Sequence, residues 1–225
     1  MLCEIRLDDI ACEIGGNMLF ADVTLSVGRG QVIVVCARSG CGKSSLLEIA
    51  AGLKPPLRGE IQWNGINRAS LSKQEMVSYR QHTGYCFQQN ALISNFTLFE
   101  NCALPLRYHT EKTDAEIGDM VQNVLEKLKI WELRRLLPEA LAAGQARLAA
   151  FARACIMDPD FFFIDELFTG LDPYHVKILY ASFEEYCLRR AKTILMVSSM
   201  NEYIKQSASK LFTIHNGTIT EGAQE

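Results

Sequence analysis

The chain has 225 residues, 48% hydrophobic and 22% charged, with a formal net charge of −3; it is long enough for a sizeable core and ordinary for a globular protein. The mildly acidic balance leaves no electrostatic footprint for a nucleic-acid partner. No apolar run approaches the ~18–20 residues that cross a bilayer, no signal-peptide apolar region opens the chain, and its eight cysteines contain no C-x-x-C, so they read as reduced cytosolic thiols rather than a disulfide framework or a zinc site.

In chain order, Ile5–Ile10 and Asp22–Val27 read as short strands around the turn Gly15-Gly16-Asn17. Gly28-Arg29-Gly30 then breaks the chain before the apolar run Val32-Ile33-Val34-Val35. That run feeds Ala37-Arg38-Ser39-Gly40-Cys41-Gly42-Lys43-Ser44-Ser45, and Leu46–Ala50 leaves it with helical character. Strand, glycine-containing turn, Gly-Lys-Ser and helix is the layout of a phosphate-cradling loop. Glycine lets successive N–H groups curl toward one anion, and the helix N-terminus adds partial positive charge. Lys43 can neutralise terminal phosphate charge, and the Ser44 hydroxyl can ligate Mg²⁺. The pattern begins with glycine, where this chain has Ala37. If the position needs a positive φ, alanine costs about 1–2 kcal/mol; otherwise the change is silent.

The helix after the loop is expected to end near Gly52, ahead of Pro55-Pro56. Arg58–Trp63 reads as a strand closed by the turn Asn64-Gly65, and Ser72-Lys73-Gln74-Glu75 is a capping box opening a helix toward Arg80. Thr83–Phe87 is a strand that delivers Gln88 and Gln89. A second capping box, Thr113–Glu116, precedes Ile117, Met120, Val121, Val124, Leu125, Leu128 and Trp131, which follow at helical spacing and read as subdomain core. With no long strand signal between Asn90 and Pro138, this section reads as a helical subdomain inserted into an α/β core.

After Pro138 comes Leu141-Ala142-Ala143-Gly144-Gln145, then an alanine-rich helix to about Met157, stopped by Asp158-Pro159. Phe161–Ile164 is short, fully apolar and bounded by charge, as a buried parallel strand is. It ends in Asp165-Glu166. An aspartate there can hold Mg²⁺ through water, and the next glutamate can polarise an attacking water. A helix over Tyr174–Arg190, a strand over Thr193–Val197, a helix near Asn201–Ser207 and a hairpin around Asn216-Gly217 finish the chain. Alternating strands and helices give a mostly parallel sheet flanked by helices.

Taken together, the phosphate loop and Asp165-Glu166 resemble the ATP-binding subunits of ATP-binding-cassette transporters over nearly the full length. Cys86-Phe87-Gln88 matches that family's Q-loop, Leu141–Gln145 sits at the place of its Leu-Ser-Gly-Gly-Gln signature, and Asp165–Pro173 resembles its Walker B and D-loop run. The resemblance implies a P-loop NTPase fold: a mostly parallel sheet flanked by helices, an antiparallel β subdomain and an inserted helical subdomain. It implies one domain over 1–225, with a core of 1–88 and 158–225 and a helical subdomain over about 89–157. It implies ATP and Mg²⁺ held by residues 37–45, Gln88, Asp165 and, across a head-to-tail dimer, Gly144 and Gln145. Glu166, Gln88 and Lys43 would then be catalytic, and Ser44, Gln88 and Asp165 would be metal ligands. Phe87–Leu92 and Phe99–Thr110 resemble more narrowly the ATPases of Mla/Mce-type phospholipid transporters. Those work peripherally on the cytoplasmic membrane with a permease, a second ATP-binding subunit and an MCE-type lipid-binding protein. The run Asn101–Leu106 also resembles lipoprotein-releasing and export ATPases.

Five positions depart from the family pattern: Cys12 at the place of an adenine-stacking aromatic, Ala37 in the loop, Ala142 and Ala143 in the signature, and Ser199 where a switch histidine is expected. Serine cannot shuttle a proton as imidazole does, a loss on the order of 10²–10⁴ in rate. A nucleotide-binding regulatory subunit with little hydrolysis is the alternative these departures raise.

Overall fold

In the computed structural model, residues 2–37, 40–199 and 202–222 are described. The elements are β1 (Ile5–Ile14), β2 (Asn17–Val27), β3 (Val32–Ala37), α1 (Lys43–Ala50), β4 (Arg58–Trp63), β5 (Ile66–Asn67), α2 (Lys73–Gln81) and β6 (Thr83–Cys86). There follow α3 (Leu98–His109), α4 (Asp114–Lys127), α5 (Ala143–Cys155), β7 (Phe161–Asp165), α6 (Pro173–Phe183), β8 (Thr193–Ser198), α7 (Glu202–Ser207), β9 (Lys210–His215) and β10 (Thr218–Glu221). They divide into two units, residues 1–83, 160–166 and 191–225, and residues 84–159 and 167–190.

The first unit holds two sheets. In one, β3 pairs in parallel with β8 on one side and β9 on the other, β7 pairs in parallel with β8, and β10 closes antiparallel on β9. Strands β3, β7 and β8 are almost continuously apolar, as parallel strands with no solvent side are. Val32–Cys36, Phe161–Asp165 and Thr193–Ser198 are buried residue by residue. Helix α1 lies against β3, β7 and β8. The second sheet is antiparallel, in the order β2-β1-β4-β5. Its tight turns, Gly15-Gly16 and Asn64-Gly65, have positive φ at both central residues, the mirror-image turn that matches strand twist. β1 and β2 run longer than the sequence suggests, because bulges at the Leu7–Cys12 register shifts let pairing resume up to Ile14 and Asn17.

The second unit is helical. Its helices α3, α4 and α5 pack on one another, and α6 packs on α5. Buried positions recur at helical spacing: Cys102, Ala103 and Leu106 in α3, Ile117, Val121, Val124 and Leu125 in α4, and Leu148, Phe151 and Ala152 in α5. Trp131 lies beyond α4 in a separate 3₁₀ turn. The carbonyls of Arg134 and Leu136 from the segment after that turn accept the N–H groups of Phe99 and Leu98, which have no acceptor inside α3. The expected helix over Tyr174–Arg190 is α6 followed by a π-helical turn at Glu184–Leu188. Among the described residues no helix is long and apolar enough to cross a membrane.

Candidate functional site

The turn between β3 and α1 is shaped by two left-handed glycines, Gly40 at φ +83° and Gly42 at φ +85°. Gly42 is fixed twice over, because a Cβ there would lie 2.9 Å from Phe20 Cε1 and 3.1 Å from Leu19 Cβ. The first intrahelical bond is Leu46 N–H to Gly42 O, so the N–H groups of Gly42, Lys43, Ser44 and Ser45 have no acceptor within α1. These are the donors an anion would meet. Arg38 and Ser39 of the expected binding loop lie outside the described residues. Ala37 answers the question its substitution raised. It is the last residue of β3, opposite Ile214, and it is not among the positive-φ residues. Alanine therefore carries no backbone cost, and its carbonyl accepts Lys43 Nζ at 2.8 Å. The Ser45 side chain is turned away: its Oγ accepts from Lys54 Nζ at 3.3 Å.

β7 and β8 bring the acidic pair to this loop. Lys43 Nζ and Glu166 Oε1 stand 2.8 Å apart, with side chains only 9% and 7% exposed. Glu166 is left-handed, φ +51°, which for a non-glycine residue marks a position over-determined by its surroundings. Its carboxylate also accepts the Ser199 N–H at 3.0 Å, the Ser199 hydroxyl at 3.2 Å and the Ser198 hydroxyl at 3.5 Å. Asp165 is buried and hydrogen-bonded to Ser44. Burial pushes its carboxyl up and the Glu166 charge adds to that, against the Ser44 hydrogen bond and Lys43. One oxygen, Asp165 Oδ1, is buried without a hydrogen-bond partner. A hard cation would satisfy it, and the Ser44 hydroxyl is the matching oxygen donor, so this pair fits Mg²⁺.

Cys12 does not fill the place of a base-stacking residue. It is 1% exposed and opposite Phe20 in the β1–β2 ladder. The exposed apolar side chains of that hairpin are Ile14 and Met18, at 52% and 54%. Leu19, next to Met18, crowds Gly42 together with Phe20, so this hairpin borders the loop.

Gln88, Gly144 and Gln145 belong to the second unit. Gln88 is exposed, and its carbonyl accepts Arg147 Nη2 at 2.9 Å. Asn90 and Ala91 are both left-handed, and Arg153 holds their carbonyls at 3.0 and 2.8 Å. Arg147 and Arg153 thus shape the segment after Gln88 from α5, a role that no sequence spacing advertises. Ala142 at the N-cap of α5 has no side-chain acceptor, and only the return bond survives, Ala142 N–H to Gln145 Oε1 at 2.9 Å. Gly144 is buried against His175: a Cβ there would lie 2.4 Å from His175 Cγ. His175 is itself held by Asp172 Oδ2 at 2.5 Å.

A family profile described as ABC transporter matches residues 20–169, from the hairpin beside the loop past the acidic pair. The chain belongs to the ABC transporter family. Among its relatives, the cassette is 31% identical over 222 residues to the intermembrane phospholipid transport system ATP-binding protein MlaF of Haemophilus influenzae, covering 98% of this chain and 84% of that one. It is 31% identical over 194 residues to MlaF of Escherichia coli K12, covering 86% and 72%. In fold the cassette is similar to a dimeric ATP-binding cassette in a post-hydrolysis state bound to ADP and Pi, with a TM-score of 0.86, 21% identity, and coverage of 98% and 99%.

Proposed function

We propose that this cassette binds and hydrolyses ATP as the energising subunit of a phospholipid-transport complex. The observation that carries the nucleotide site is the buried Lys43–Glu166 pair, 2.8 Å apart, beside Ser44–Asp165 and the N–H groups at the start of α1 that have no acceptor within that helix. Residues 37–45 would bind the phosphates, with Lys43 neutralising their charge. Ser44 and Asp165 would hold Mg²⁺, joined by Gln88. Bound there, the cation would draw charge from the phosphate oxygens. Glu166 would orient and deprotonate the attacking water, held in place by Ser199. Ile14 and Met18 offer the base an apolar surface in place of an aromatic ring.

The phospholipid cargo rests on the kinship with the two MlaF proteins, as do the partners: an integral-membrane permease and an MCE-type lipid-binding protein. A second cassette subunit would supply Gly144 and Gln145 to each site, and the complex would sit on the cytoplasmic face of the membrane through its permease. The core would be 1–88 and 158–225, with a helical subdomain over about 89–157 facing the permease.

Turnover of the purified cassette, alone and with its permease, tests the enzymatic reading. Lys43→Ala is expected to abolish Mg-ATP binding, and Glu166→Gln to lower turnover by roughly 10²–10⁴ without loss of binding. Unchanged affinity in Lys43→Ala would overturn the site. Ser199 and Ala142 favour a second reading, a nucleotide-gated regulatory subunit; binding without turnover in the full complex would select it.

A further inference from the structure

Glu166 and the nucleotide make demands on the same ammonium group. Lys43 Nζ is buried and stands 2.8 Å from the Glu166 carboxylate, while also donating to the Ala37 carbonyl. A phosphate cradled by the start of α1 needs that same charge. Glu166 has a second set of donors that does not depend on Lys43: the Ser199 N–H and hydroxyl and the Ser198 hydroxyl. All of these groups lie in one unit, on α1 or at the ends of β3, β7 and β8. Resting on the nucleotide-site reading, we propose that Glu166 competes with nucleotide phosphate for Lys43, and that Ser199 is the positioning residue that sets the outcome.

The physical argument is a comparison of two states. Without nucleotide, Glu166 is compensated by Lys43 and by the two serines. Once Lys43 turns to phosphate, the carboxylate loses that partner and the serine donors carry more of its compensation. A buried carboxylate left short of donors is costly. The Ser199 hydroxyl is therefore worth more in the bound state than in the free state, and it favours binding. Glu166 does the opposite. Its charge stabilises the lysine in the free state, where it acts as an internal stand-in for phosphate.

A double-mutant cycle on nucleotide affinity reads this directly and needs no turnover. The probe is fluorescent mant-ADP, titrated against the whole chain. Glu166→Gln is expected to bind about tenfold more tightly, and Ser199→Ala several-fold more weakly, each on the scale of one charge-assisted hydrogen bond. Ser199→Thr keeps the hydroxyl and should bind as wild type does. In the Glu166→Gln background the Ser199→Ala change should have no effect, since no charge is left to hold; a serine acting on the fold alone would weaken both backgrounds equally. Equal affinity of wild type and Glu166→Gln, or additive effects in the cycle, would overturn the competition. Lys43→Ala keeps the two failures apart: if it binds mant-ADP as wild type does, the nucleotide site itself is misplaced, whereas loss of binding there with an unmoved Glu166→Gln removes only the competition.

Discussion

At Glu166 the main chain turns left-handed immediately after β7 ends, with its N–H still donating to Val197 O at 2.9 Å. The carboxylate is thereby set against Lys43 and Ser199, groups that come from parts of the chain more than a hundred and about thirty residues away. Such a meeting leaves no local trace in the sequence, whereas the run of types Gly-Lys-Ser and Asp-Glu does, because each type is tied to one chemistry. The same contrast explains Cys12. Position alone placed it near a base, but in β1 it pairs opposite Phe20 and is buried in the core. Cys41 gives a test at this scale. Of the eight cysteines only Cys3 and Cys41 are partly exposed, and burial pushes the thiols of Cys86 and Cys102 up to about 12. A maleimide is expected to label Cys3 and Cys41 alone, and Mg-ATP to protect Cys41 while Cys3 reacts as before. Mass spectrometry of the labelled peptides checks it, and equal Cys41 labelling with and without nucleotide would count against the loop as the binding site.

The helices start where their caps say they should. Ser72–Glu75 opens α2, Thr97–Glu100 opens α3 and Thr113–Glu116 opens α4, each with both reciprocal bonds in place. Two of these boxes stand out in the sequence, but α3 does not, because Pro105 interrupts it and proline in a helix interior normally ends one. Here proline falls late in the helix, and the burial of Leu98, Cys102, Ala103 and Leu106 outweighs it. Strands β3, β7 and β8 are legible because buried strands are almost continuously apolar; the extension of β1 is not, since its bulges break the alternation. The hydroxyl and N–H of Thr97 hold the Glu100 carboxyl below the usual range, and those of Thr113 do the same for Glu116. A carboxyl with a lowered folded-state value binds fewer protons folded than unfolded, so its stabilisation is complete above its ordinary value near 4.5 and fades as pH falls through the folded value. Thr97→Ala is expected to cost about 1 kcal/mol at pH 7, and the gap from wild type should narrow at pH 3. Urea unfolding followed by circular dichroism at the two pH values measures it; a gap that is the same at both would mean that the cap does not act through the Glu100 charge.

For the whole molecule, the question is what one chain lacks. The phosphate loop, Asp165 and Glu166 lie in one unit, while Gly144 and Gln145 lie in the other, with Gly144 held tight against His175. In a symmetric head-to-tail dimer each site would take its loop from one copy and its Gly144 from the other, and would be incomplete in a single chain. Mixing two disabled chains tests that arrangement. Lys43→Ala removes the loop's charge, and Gly144→Asp places a side chain where even a Cβ would meet His175 at 2.4 Å and adds negative charge beside the phosphates. Each variant alone should fail to hydrolyse ATP. In a random mixture half of the dimers pair one of each, and such a dimer has one site with an intact loop and an intact Gly144, the other site carrying both defects. Turnover should therefore return to about a quarter of wild type if each site works independently of its twin. A mixture as inactive as its parts, with heterodimers present by native mass spectrometry and both variants folded by circular dichroism, would mean that Gly144 serves the loop of its own chain.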